Sequence, residues 1–211
     1  MYYLHGFRRT LSTELPSQEV AVAYDAESNP GLVSLTVRFT EETVLVGYPE
    51  ARLWAEAKSA DDMDLFVLVQ KLDAHGTHLQ EFTIPNQSAM VQDITEHGAS
   101  VLRYKGSDGR LRVSARHLDK ALATDAVPAY SFDRVEKLQP GEIVDIEVDL
   151  APVGLVFYPG QQLRLVVSAH NLLGAHMPAT RDYIPQNSGQ HVIHTGGDYA
   201  SYLQLPIKAV R

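Results

Sequence analysis

The sequence predicts an all-β sandwich, on three observations. Short runs rich in Val, Leu, Ile and aromatic residues recur along the chain, Pro- and Gly-containing turns separate them, and sustained helical periodicity is scarce. Leu32 to Phe39 follows the turn signal Asn29-Pro30-Gly31 and reads as a strand. Val44 to Val46 ends at Gly47, and Ala51 to Ala57 follows Pro49. Leu65 to Leu72 is the most apolar stretch and is expected at the centre of a sheet, turning back at Asp73-Ala74-His75-Gly76. Further strands are expected at Leu111 to Ala115, Ile143 to Leu150, Leu163 to Ala169, His191 to Thr195 and Tyr199 to Ile207. In Ile143 to Leu150, Val144, Ile146, Val148 and Leu150 alternate with Asp145, Glu147 and Asp149, giving one core face and one acidic face in water. Pro140-Gly141 and Pro159-Gly160 stand just before strands, as sandwich turns do. Helical turns are expected only at His117 to Ala123 and Ser88 to Glu96, and Asn171 to Ser188 as a long irregular connection. Residues 1–211 are expected as a single domain, with 1–30 an extended lead-in and 31–211 the sandwich.

Composition narrows the function classes. A net charge of −8, from 18 Lys plus Arg against 26 Asp plus Glu, argues against nucleic acid as a partner. The absence of cysteine removes disulfides, thiolate metal sites and cysteine nucleophiles. No apolar run reaches the roughly 18 residues of a membrane span. The opening MYYLHGFRRTLSTELPSQ does not read as a signal peptide, which leaves the cytoplasm as the default location. No cofactor motif is present.

Several pieces in order carry a family resemblance: Tyr3 to Gly6, Leu11-Ser12, Tyr24-Asp25, Val46 to Pro49 with Leu53-Trp54, and Asp61 to Leu65. They continue through Asp73, Gly76, Gly109, Leu111, Arg112, Ser114 and Arg116, then Pro140-Gly141-Glu142 and Pro159 to Leu165, to Asn187-Ser188-Gly189 and Leu203 to Pro206. The chain resembles the C-terminal domain of X-Pro dipeptidyl-peptidases and of the related cocaine-esterase-type (CocE/NonD) hydrolases. The resemblance implies a jelly-roll sandwich, galactose-binding-like, packed against an α/β-hydrolase domain that holds the Ser, Asp and His of the triad. It implies a non-catalytic accessory role, stabilising or shaping a hydrolase domain absent from this chain. Dipeptidyl-peptidase or acyl-ester hydrolase activity then belongs to the family as a whole. The implied partner is the hydrolase domain, or a second copy through the surface it would cover. A free-standing module for carbohydrate or another small ligand is the alternative.

Chemistry of the chain's own is weighed against that expectation. The Gly-x-Ser-x-Gly elbow of an α/β-hydrolase is missing. Lys105-Gly106-Ser107-Asp108-Gly109 has the wrong spacing and reads as a polar hairpin turn. Strand alternation places Ser114 and Arg116 on one face and His117 on the other, so Ser114 and Arg116 are expected as structural or domain-interface positions. Asp61, Asp62 and Asp64 can offer oxygens to a hard cation such as calcium, or form Asx turns at the entry to the Leu65 strand. His191 and His194 fall on opposite faces, a poor zinc arrangement; His170 and His176 meet only through loop folding; His75 and His78 read as solvated hairpin residues. Leu53 and Trp54 point to opposite faces, which puts one of them outside the core, at an interface or a stacking platform. Tyr183, in the long connection, is the best candidate for an exposed aromatic.

Overall fold

The computed structural model describes residues 1–85, 99–124, 127–173 and 185–208. The strands in chain order are β1 (Tyr2–His5), β2 (Thr10–Ser12), β3 (Val20–Asp25), β4 (Leu32–Arg38), β5 (Thr43–Gly47), β6 (Glu50–Ala57), β7 (Asp64–Leu72) and β8 (Glu81–Pro85). They continue with β9 (Ala99–Arg103), β10 (Ser107–Arg112), β11 (Ile143–Asp149), β12 (Val153–Phe157), β13 (Gln162–Ser168), β14 (Gln190–Thr195), β15 (Tyr202–Gln204) and β16 (Ile207–Lys208). Among the described residues the only helical element is a 3-10 turn at Val113–Ala115. No helix there is long and apolar enough to cross a membrane.

A large sheet runs in the order β10-β7-β13-β4-β2-β1-β15-β6-β14-β3, with β11 on the other edge of β6. A second sheet is β12-β5-β16, and β8 pairs with β9. Strands β4, β7 and β13 carry the expected apolar faces. Leu65, Val67 and Val69 of β7 share one buried cluster with Leu163, Leu165 and Val167 of β13 and Val33 and Leu35 of β4. Alternate residues of β6 and β11 (Ala51, Leu53, Ala55, Val144, Ile146, Val148) belong to the same cluster, so the main layers close on a single core. Phe66 and Leu68 are buried too, and β7 is covered on both faces, as its continuous apolar run requires. Gly31 turns the chain into β4 with φ +49; a Cβ there would lie 2.6 Å from the Ser28 carbonyl oxygen, so only glycine fits.

Several expectations are corrected. Residues 1–30 are no lead-in: β1 pairs with β15 and β2, and β3 pairs with β14, all within the large sheet. The Leu111 strand begins earlier, at Ser107, and ends at Arg112. Ser107 is therefore a buried strand residue and not part of a polar hairpin turn. The run from Tyr199 breaks into β15 and β16, and Gly154 to Phe157, assigned no element from sequence, forms part of β12. His117 to Ala123 forms turns and a bridge from Leu118 to Tyr130, not a helix. The Ser88 to Glu96 expectation lies outside the described residues.

Candidate functional site

Two regions gather the polar side chains of interest. The first is the corner where Asp61 to Asp64 meet the 3-10 turn. One carboxylate oxygen of Asp62 accepts from the backbone N–H of Met63 and of Ser114, each at 3.0 Å, and Lys137 Nζ lies 3.1 Å from the other. Ser114 is buried and reaches Asp62 through its backbone. Its place on a 3-10 turn, not a strand, removes the face shared with Arg116. Arg116 donates to the carbonyls of Val113 (3.1 Å) and Glu136 (2.6 Å), holding the turn to the following connection. Asp64 is buried and takes a two-pronged hydrogen bond from Arg112 (2.9 and 3.0 Å), and the N–H of Gln186 donates to it at 2.6 Å. The exposed carboxylate of Asp61 lies 3.4 Å from Lys137 Nζ. Asp61 and Asp62 thus share Lys137 while Asp64 faces Arg112, and no three His, Asp or Glu side chains among the described residues are placed to hold one metal ion. Next to this corner lies a cleft of about 290 Å³ lined by Asp64, Arg110, Arg112, Tyr130 and the exposed Phe132.

The second region is the outer face of the large sheet around β6. Alternation turns Glu50, Arg52, Trp54 and Glu56 outward, opposite the fully buried Ala51, Leu53, Ala55 and Ala57. The Leu53–Trp54 division follows the sequence expectation, with Trp54 half-buried on the outer side. Register then builds rows across the face: Asp149–Glu50–Gln204, Glu147–Arg52–Tyr202 and Asp145–Trp54–His194. Arg52 forks onto Asp145 and lies 3.8 Å from Glu147. The acidic stripe of β11 is therefore shared between water and Arg52. Trp54 and Tyr199 meet edge to face at 5.3 Å, and so do Tyr3 and Tyr202 at 6.0 Å.

Glu56, 3% exposed, bonds His194 Nε2 at 2.7 Å and pairs with Lys58 at 2.6 Å. Burial alone would raise its carboxyl, but the Lys58 and His194 contacts outweigh burial and hold it below the usual range. Glu50 behaves oppositely: burial first, then the charges of Glu147 and Asp149, push it up to about 7 against the pull of Arg52. Sequence reasoning missed Glu50, Glu56 and Tyr130. Counting in twos from Trp54 would have placed the two glutamates on this face.

His191 and His194 do lie three apart in β14; His191 points into the core against Tyr24, and His194 points to the outer face. His170 Nε2 meets the Ser28 carbonyl, and His176 lies outside the described residues. The exposed His75 donates its backbone N–H to the Asp73 carboxylate that caps the turn, whereas His78 is bridged to Leu72 with a buried Nε2, which corrects the solvated reading for His78 alone. Tyr183 also lies outside the described residues.

The model of the X-Pro dipeptidyl-peptidase C-terminal non-catalytic domain matches residues 4–204. Two crystal structures of a CocE/NonD family hydrolase from Staphylococcus aureus superpose with TM-scores of 0.82 and 0.83 at 31% and 32% identity, over 99% of this chain and 37% and 36% of theirs. An aminopeptidase from the marine sediment archaeon Thaumarchaeota archaeon shares the fold, with a TM-score of 0.59 at 16% identity over 99% of this chain and 37% of that one. The chain thus spans little more than a third of the length of these structures. No curated protein matches it.

Proposed function

Because the chain belongs to the family of X-Pro dipeptidyl-peptidase C-terminal non-catalytic domains, we propose that it is the accessory domain of a CocE/NonD-type serine hydrolase. In this reading it docks on an α/β-hydrolase domain, stabilises and shapes that domain, and leaves the acyl or peptide chemistry to it. The observation that carries the reading is the outer face around β6. Trp54, Tyr199, Tyr202 and Tyr3 lie there beside Arg52, a residue mix that concentrates at the centres of protein interfaces. The polar corner at Asp62 supports it from the other side, since its charged groups are spent on backbone and on one another.

The test is co-expression of this chain with the catalytic portion of the S. aureus hydrolase. Recovery of soluble catalytic portion, and its turnover of short-chain p-nitrophenyl esters and X-Pro anilides, should rise when the chain is present. The chain alone should turn over neither substrate, and Ser114→Ala should change nothing. Turnover by the purified chain that Ser114→Ala abolishes would contradict the proposal. Without its partner domain the same face would drive self-association, seen as a concentration-dependent mass by light scattering.

A further inference from the structure

Glu50 stands at the start of β6, 7% exposed, and its carboxylate forms no hydrogen bond or ion pair with another described residue. Asp149 lies directly across from it on β11 and Gln204 on β15. Glu147 follows one row along, and the half-buried Tyr130 donates its hydroxyl to the Glu147 carbonyl oxygen. Tyr130 is pushed up by its own burial first and then by the charge of Asp149, with Glu147 and Glu50 adding to it. Arg52, the one cation of these two rows, is turned to Asp145 and reaches Glu147 only at 3.8 Å. A buried carboxylate with two more beside it and no cation of its own is costly until a positive group covers it.

We propose, on the premise that the chain docks on a catalytic hydrolase domain, that Glu50, Asp149 and Glu147 form a notch that receives an arginine side chain of that domain. A single metal ion does not fit, because no three such side chains among the described residues are placed to hold one. A guanidinium does: its planar fork of five N–H donors reaches carboxylates that stand apart on neighbouring strands. The source is a protein surface and not a free small cation, since the notch opens on a sheet face. None of its carboxylates lines the 290 Å³ cleft beside Phe132 or the groove of about 470 Å³ between His5 and Gln18. The row of Tyr202, Tyr3 and Arg52 beside it supplies the flat aromatic flank of a docking surface. Cation binding favours ionised Glu50, so affinity is full above the free chain's value of about 7 and is lost as pH falls through it.

Two arms test the notch. In the first, the Glu50 carboxyl ¹³C resonance of the intact chain is followed against pH, alone and with acetyl-arginine amide, acetyl-lysine amide or MgCl₂. The expected result is a midpoint near 7 for the chain alone, lowered by arginine amide more than by the other two. A carboxyl indifferent to arginine amide, or one equally responsive to Mg²⁺, would overturn the proposal. In the second arm, the chain is co-expressed with the catalytic portion of the S. aureus hydrolase and the complex is recovered at pH 8 and pH 6. Recovery should fall roughly tenfold at pH 6, as one proton per site requires, and about fivefold or more at pH 8 for Glu50→Gln with Asp149→Asn. An Asp198→Asn control should match the unaltered chain. Undiminished complex with the double variant sinks the notch and leaves the docking reading standing. No complex even with the unaltered chain sinks both, and arginine amide binding would then mark a site for free small cations.

Discussion

Asp62 accepts two backbone hydrogen bonds through one oxygen, from Met63 and Ser114, and meets Lys137 through the other. Removing the carboxylate strands two N–H donors, one of them on the buried Ser114. Asp62→Ala should therefore cost about 2–3 kcal/mol in urea denaturation, whereas a solvated Asx turn would lose well under 1 kcal/mol. His191 gives a pH signature. Fully buried, with Nε2 unbonded and Nδ1 3.3 Å from the Tyr24 hydroxyl, it is pushed down to about 4, chiefly by burial, with Asp64 opposing and His170 assisting. A depressed histidine stabilises the fold above its ordinary value of 6.5, and that stability drains away as pH falls from 6.5 through 4. His191→Leu should flatten the fall between pH 7 and pH 4 by about 3 kcal/mol; parallel curves for the two proteins would contradict the assignment. At this scale the sequence was partly legible. Alternation sorted Leu53 from Trp54, but nothing in the spacing of Asp61, Asp62 and Asp64 told ligands from staples, because their partners lie some fifty residues or more away at Ser114, Arg112 and Lys137.

The strands with the strongest patterns, β4, β7, β11 and β13, stand where the apolar runs placed them, since each buries a full face and register cannot slip without exposing it. Strands β1, β2, β15 and β16 have two to four residues each, too few for periodicity to show. Their conformation is set by distant partners, Tyr2 by Leu203 and Thr10 by Thr36. Strand β10 was misplaced because Gly106 and Gly109 suggested a turn. Gly109 serves close packing instead: a Cβ there would lie 2.0 Å from the Asp149 carbonyl oxygen, where the end of β11 crosses β10. Gly109→Ala should therefore separate the two strands and cost about 2–3 kcal/mol in chemical denaturation. A cost under half a kcal/mol would show that the crossing yields easily.

At the scale of the whole molecule, one core gathers residues from β1 and β2 at one end of the chain to β15 near the other. That closure was invisible in the first thirty residues, whose weak pattern resembles a tail until β15 and β14 are placed beside it. The docking face was half legible: the acidic alternation of β11 could be read, but its pairing with β6, which sets Glu50 among carboxylates, depends on register. An accessory domain should meet its hydrolase domain through one contiguous face. The most direct measurement is amide hydrogen exchange of this chain, alone and co-purified with the catalytic portion of the S. aureus hydrolase. Docking predicts slowed exchange confined to one surface that includes residues 50–56, 143–149 and 199–204. Identical exchange in the two samples, or slowing scattered over both faces of the sandwich, would contradict it.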